Sequence, residues 1–173
     1  MRSRGGYSSD LLIRVKWFAD ITFRSRTVVR RDDPETNRTL KIIVCPLSRV
    51  EQMVETHHPE RVVSLLDPGS EFPDLGPCYR SRHLRLQFHD AHDCVGGQVA
   101  PAVSHVHQLL NFVSGWMRSA PIIVHCRAGI GRSSAAGFIA ACLHSVDETE
   151  LEIAHALRRA SSLARPNELL AGC

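Results

Sequence analysis

Lysine is nearly missing from this chain, with Lys16 and Lys41 the only two, so its positive charge is carried almost entirely by arginine. The net charge is only +3 over 173 residues. That falls short of the basic footprint of a nucleic-acid binder. No apolar run approaches the length of a membrane span. No signal peptide is expected, because the short apolar stretch after Arg2 and Arg4 is broken by Arg14 and Lys16. Paired cysteine spacing is absent too. Cys45, Cys78, Cys94, Cys126, Cys142 and Cys173 are scattered with no CxxC, which points to free thiols in a reducing cytoplasm. Internal repeats and low-complexity tracts are also lacking.

What remains is an ordinary globular composition, 43% hydrophobic and 23% charged. Residues 1–38 read as a loosely attached extension, and residues 39–173 as one domain. Leu40 to Val44, Val62 to Leu66, Leu84 to Phe88 and Ile122 to Val124 are strand candidates. Ser48 followed by Glu51 predicts a capping box opening a short helix to about His57. Pro101 opens a helix whose apolar stripe would be Val103, Val106, Leu110, Val113 and Met117. Ser133 to Leu143 and Glu148 to Ala160 are further helices. Strands alternating with helices predict an α/β fold, a mostly parallel central sheet flanked by helices. From Glu168 to Cys173 there is no room for a full final helix, so a truncated one is expected.

The chemistry concentrates in Pro121–Ser134, "PIIVHCRAGIGRSS". An apolar β-branched strand delivers Cys126 to a loop, Arg127, Ala128, Gly129, Ile130 and Gly131, that ends on Arg132, Ser133 and Ser134 where a helix begins. The crevice at the carboxyl end of a parallel strand is where ligands bind in such sheets. Glycines let the loop turn its N–H groups inward, and a helix N-terminus favours anions. Arg132 adds a planar fork for two phosphate oxygens. The same surroundings favour a thiolate at Cys126 over a thiol, which makes it an in-line nucleophile toward phosphorus. Ser133 or Ser134 could donate to the sulfur when it leaves, and His125 could orient the loop.

This spacing, His125-Cys126-(five residues)-Arg132-Ser133, resembles the H-C-x5-R-[ST] signature of the cysteine-dependent protein tyrosine phosphatase superfamily. The similarity runs from about Leu40 to Leu170 and is to its compact, dual-specificity-like branch. The resemblance implies Cys126 as nucleophile, Arg132 as the binder of the phosphoryl oxygens, Ser133 as helper in breakdown of the intermediate, and residues 127–131 as an amide cradle. It also implies a general acid on a loop after the strand before the long helix. Asp90 stands directly there, in Leu84-Arg85-Leu86-Gln87-Phe88-His89-Asp90, and Asp93 is the alternative. Arg165-Pro166-Asn167 resembles the segment before the last helix of compact members. The implied substrate is a phosphorylated protein, at phosphotyrosine and with dual specificity as the wider form. The loop lacks the lysines expected of enzymes acting on inositol lipids. No cofactor and no metal are implied, nor any particular oligomeric state.

Two other readings stay open from the residues alone. One is a non-catalytic phosphate-binding module. The other is a metal-dependent phosphohydrolase, because His89, Asp90, His92 and Asp93 cluster and His105 and His107 form an HxH pair, although on a helix those two rings diverge. Oxidation of a reactive thiolate also suggests a disulfide from Cys126 to Cys45 or Cys94.

Overall fold

The computed structural model describes residues 27–29, 32–33, 38–91, 96–145, 148–160 and 165–172. Residues 1–26, most of the stretch expected to be a loose extension, lie outside the described residues. The strands in chain order are β1 (Thr27–Val29), β2 (Asp32–Asp33), β3 (Arg38–Thr39), β4 (Ile42–Pro46), β5 (Arg61–Leu66), β6 (His83–Gln87) and β7 (Ile122–Cys126). The helices are α1 (Val50–His57), α2 (Val103–Ser114), α3 (Arg132–His144), α4 (Glu150–Ala160) and a five-residue α5 (Glu168–Gly172).

Five strands form one sheet in the order β1-β4-β7-β5-β6, and β2 pairs with β3 in a small separate ribbon. β4, β7, β5 and β6 are parallel, and β1 adds an antiparallel edge to β4. The α/β fold with a mostly parallel sheet is therefore the one observed. Strand β7 is central and its Ile122, Ile123 and Val124 are all fully buried. Burial on both faces is what a wholly apolar, β-branched run in a parallel sheet requires.

Strand alternation divides the core into two layers. Ile42, Val44, Val63, Leu65, Val124 and Cys126 face α2 and α3, while Ile43, Cys45, Val62 and Ile123 face Val50 and Val54 of α1. Helix α3 is rich in small residues because it lies close on the sheet: a Cβ added at Gly137 would stand 3.0 Å from Val44 Cγ2. Among the described residues no helix is long and apolar enough to cross a membrane.

Two local expectations are corrected. Leu47–Arg49 form a 3-10 turn, and α1 starts after Arg49 with no side-chain cap, so the Ser48–Glu51 capping box is not made. In α2 the buried stripe is Val106, Leu109 and Val113, while Val103 and Met117 are 49% and 58% exposed. The helix ends at Ser114, so Met117 lies beyond it. Its place near the core is taken by Trp116, whose indole N–H donates to the Ala120 carbonyl at 2.9 Å.

The close approach of α3 to β4 sets a first prediction. Gly137→Val should destabilise the protein by about 1–3 kcal/mol, the usual cost of overpacking, and lower Tm by roughly 5 °C. Gly137→Ala should be near neutral, since helix propensity offsets a small adjustment of Val44. Thermal melting of both variants checks this.

Candidate active site

Cys126, Arg132, Ser133, Asp90 and the loop Arg127–Gly131 sit at the carboxyl edge of the parallel strands. Register brings Pro46 of β4 and Leu65 of β5 beside Cys126 of β7. The chain beyond β5 supplies Asp67 to the same edge, and the chain beyond β6 supplies Phe88 and Asp90.

Cys126 ends β7 with 1% of its surface exposed. Its sulfur accepts from the Gly129 N–H at 3.2 Å and lies 3.1 Å from Ser133 Oγ. A backbone amide and a hydroxyl therefore converge on one sulfur, both able to donate to a thiolate. Gly129 has φ +73°, a backbone conformation that favours glycine. A Cβ there would also collide with Cys45 C and Pro46 N, at 2.7 and 2.6 Å. The loop is thus pressed against the end of β4, and the Leu47 N–H donates to the Arg127 carbonyl at 3.3 Å.

Arg132 is the first residue of α3 and is 3% exposed. Its Nη1 donates to Asp67 Oδ1 at 3.0 Å and to the Phe88 carbonyl at 2.7 Å. Its Nε is buried with no hydrogen-bond partner and stands 3.9 Å from Asp90 Oδ2. One side of the guanidinium is therefore fixed by the protein, and a donor is left over on the other. Asp67 also reaches Arg127 Nε at 3.4 Å, but Arg127 is 65% exposed and that pair contributes little.

Asp90 lies over the loop. A Cβ at Gly131 would overlap its carboxylate, so any larger residue there would displace Asp90 from this position. Asn167, fully buried, donates to Asp90 Oδ1 at 2.7 Å and to the Ala91 carbonyl at 3.0 Å. The Asn167 Oδ1 in turn accepts the Leu170 N–H, and its own N–H donates to the Gly131 carbonyl. His89 and Val99 exchange two bonds that close the base of the segment carrying Asp90.

The structure therefore brings together Cys126, Ser133, Arg132, Asp90 and the loop Arg127–Gly131. His125 is apart from them: it is fully buried and its ring lies on the opposite face of the sheet, with Nε2 hydrogen-bonded to Ser64. Asp93, the alternative acid, and Cys94 lie outside the described residues. Cys45 is in register with His125 and not with Cys126, so its side chain points to the face opposite the Cys126 sulfur. The sheet itself stands between the two thiols, against the disulfide expected of that pair. Burial first, and the neighbouring Cys126 second, push the Cys45 thiol up to about 12.

Among the described residues no group of three or more His, Cys, Asp or Glu is arranged to hold a metal ion. His105 packs its ring 4.9 Å from that of Phe88 and accepts the Ala102 N–H, while His107 is exposed on α2.

Two groups at the site escape a reading of the residues. Asp67 stands in a turn-forming Asp67-Pro68-Gly69, yet its position just past a parallel strand is the signal that could have found it. Asn167 belongs to a segment noted for its resemblance, without a role assigned to it.

A family model described as protein-tyrosine phosphatase matches residues 82–167. A comparison with curated proteins finds no match. Among solved structures, a variant of human DUSP28 is similar with TM-score 0.58 and 14% identity over 83% of this chain and 86% of that one. Cydia pomonella PTP-2 phosphatase gives TM-score 0.58 and 16% identity over 86% and 90%. Human tyrosine phosphatase-like serine/threonine/tyrosine-interacting protein gives 0.58 and 14% over 86% and 93%. At such identities the shared property is the fold.

Two predictions follow from the geometry. Asp67→Leu should weaken binding of inorganic phosphate about tenfold, the effect of losing one charge-assisted bond that orients the guanidinium. Asp67→Asn, which keeps an acceptor, should lose less. The rise in Tm on adding phosphate measures both, and wild-type binding by Asp67→Leu would contradict the role. The second concerns acid. Burial holds His83 and His125 near pKa 4, with His83 further depressed by Arg85 and His125 by His83. Unfolded rings titrate near 6.5, so below that pH the unfolded chain binds more protons than the native one. The stability these neutral rings contribute is complete above about pH 6.5 and is lost as pH falls toward 4. Tm should drop by roughly 5–10 °C between pH 7 and 4.5, with a shallower slope in His83→Gln.

Proposed function

Because the chain belongs to the cysteine-dependent protein tyrosine phosphatase superfamily and has the compact fold of its dual-specificity members, we propose that it hydrolyses phosphotyrosine in proteins, with dual specificity as the wider form of that activity. The observation that carries this reading is the arrangement around Arg132. A buried guanidinium is clamped on one side by Asp67 and Phe88 and keeps its Nε–H without a hydrogen-bond partner. It heads the helix whose next residue, Ser133, touches the sulfur of Cys126.

In the first step the Cys126 thiolate attacks phosphorus in line. The sulfur–phosphorus bond forms, the bond to the tyrosine oxygen breaks, and protonated Asp90 gives its proton to that oxygen. Arg132 Nε and the inward N–H groups of residues 127–131 take the charge on the equatorial oxygens. In the second step Asp90, now a carboxylate, accepts a proton from water as that water attacks phosphorus. The sulfur leaves as thiolate, stabilised by the Ser133 hydroxyl and the Gly129 N–H, and inorganic phosphate is released. Asn167 holds Asp90 in reach through both steps. No metal or organic cofactor enters the scheme. The absence of lysine from the loop disfavours highly charged inositol lipids as substrates. A reducing cytoplasm suits a mechanism that depends on a free thiol at Cys126.

The test is hydrolysis of para-nitrophenyl phosphate in the presence of a chelator. Cys126→Ser should reduce turnover to background, and Asp90→Asn should lower kcat by roughly 10²–10³, the usual share of a general acid. Asp93→Asn should retain most activity. Turnover surviving in Cys126→Ser would overturn the mechanism. Binding of phosphotyrosine peptides by a wild type that hydrolyses nothing would make the protein a binding module instead.

A further inference from the structure

On the sheet face turned away from the Cys126 side chain, a row of polar residues crosses three strands. His125 of β7 pairs with Ser64 of β5, and Ser64 pairs with Arg85 of β6. His83 stands two residues before Arg85 and so shares its face. The rest of this face is apolar, with Ile43, Val62 and Ile123 against Val50 and Val54. Ser64 and His125 have no exposed surface and His83 has 9%. Polar groups buried this deeply destabilise a core unless every bond is made.

The bonds run in one direction only. Arg85 Nε donates to His83 Nδ1 at 3.2 Å. Arginine has no acceptor, so His83 Nδ1 is unprotonated, and the neutral ring carries its proton on Nε2. That proton faces Ser64 Oγ at 2.6 Å. The single hydroxyl proton of Ser64 then goes to its other neighbour, His125 Nε2. His125 must therefore keep its own proton on Nδ1. That atom is buried and meets no partner within hydrogen-bond geometry. Arg85 itself is exposed and leans over the Phe72 ring, 5.9 Å from its centre.

We infer that Arg85, His83 and Ser64 are positioning residues: a relay that fixes the tautomer and the ring orientation of His125, the residue whose peptide bond leads directly to the nucleophile. This rests on the proposed role of Cys126 and places support for it on the far side of the sheet. Such partners of a histidine decide which ring nitrogen holds the proton. The opposite tautomer would turn two N–H groups on the one Ser64 oxygen and leave its hydroxyl proton without an acceptor, so the ring beside Cys126 would be held less firmly. One exposed guanidinium, two strands from the cysteine, thereby governs the polarity of the row.

The test is nitrogen-15 spectroscopy of the imidazoles in the intact protein at pH 7, with wild type, Arg85→Leu, Ser64→Ala and Ser64→Thr. In the wild type His83 should be protonated at Nε2 and His125 at Nδ1. Arg85→Leu should let His83 sample both tautomers and shift the His125 signals. Ser64→Ala should release the His125 tautomer, lower kcat for the aryl phosphate on the order of tenfold with KM within about twofold, and slow alkylation of Cys126 by iodoacetamide. Tenfold is the lower end of what outer-shell partners usually contribute. Ser64→Thr should restore all three. His125 protonated at Nε2 in the wild type, or Arg85→Leu with both imidazoles unchanged, would overturn the relay. So would Ser64→Ala with unaltered kcat and alkylation. Should Ser64→Ala fail to fold, the surface variant Arg85→Leu still decides. Failure of the wild type to hydrolyse aryl phosphates would remove the catalytic reading, while the imidazole signals and alkylation rates would still judge the relay.

Discussion

A buried guanidinium with too few partners is the constraint on which the rest of this structure depends. Arg132 is 3% exposed, and a buried charge left without partners costs several kcal/mol. Its partners come from chain segments that are distant in sequence: Asp67 after β5, the Phe88 carbonyl after β6, and Asp90 at longer range. The parallel sheet, in the order β7-β5-β6, puts those strand ends side by side next to the start of α3. The fold thus delivers three oxygen-bearing groups to one arginine, and still leaves its Nε without a protein acceptor. A phosphoryl oxygen is the chemistry that completes such an arrangement.

The segment around the sulfur is held just as tightly. Gly129 presses its backbone on the end of β4, where any side chain would collide, and turns its N–H to Cys126. Gly131 leaves room for the Asp90 carboxylate, which rests where a side chain would otherwise be. Asn167 then connects Asp90, the loop and the short last helix through its amide and backbone. The end of the described chain is therefore part of the site's support, although only five residues of helix follow Asn167.

Much of this was legible in the residues because it is local. Ile122 to Val124 declares a central strand by being apolar and β-branched, and the His-Cys-x5-Arg-Ser spacing carries its own geometry once it lies between a strand and a helix. Asp90 was legible for the same reason, coming straight off β6. What escaped notice depends on register between strands. Nothing in Asp67-Pro68-Gly69 says that its carboxylate meets an arginine 65 positions later. Ser64, His83 and His125 become a network only when β5, β6 and β7 align. Local signals were also overridden where packing decided otherwise: Ser48 is consumed by a 3-10 turn, and α2 rotates to bury Leu109 while Val103 faces solvent.

In the proposed mechanism a phosphoryl group passes through the sulfur of Cys126. The most direct measurement is rapid acid quench of the protein during turnover of an aryl phosphate, followed by mass spectrometry of the peptide carrying Cys126. A phosphoryl adduct on Cys126, formed as fast as the first product appears and lost as inorganic phosphate is released, is the predicted result. Steady turnover with no adduct at Cys126 at any time, or with the phosphoryl group on another residue, would contradict it.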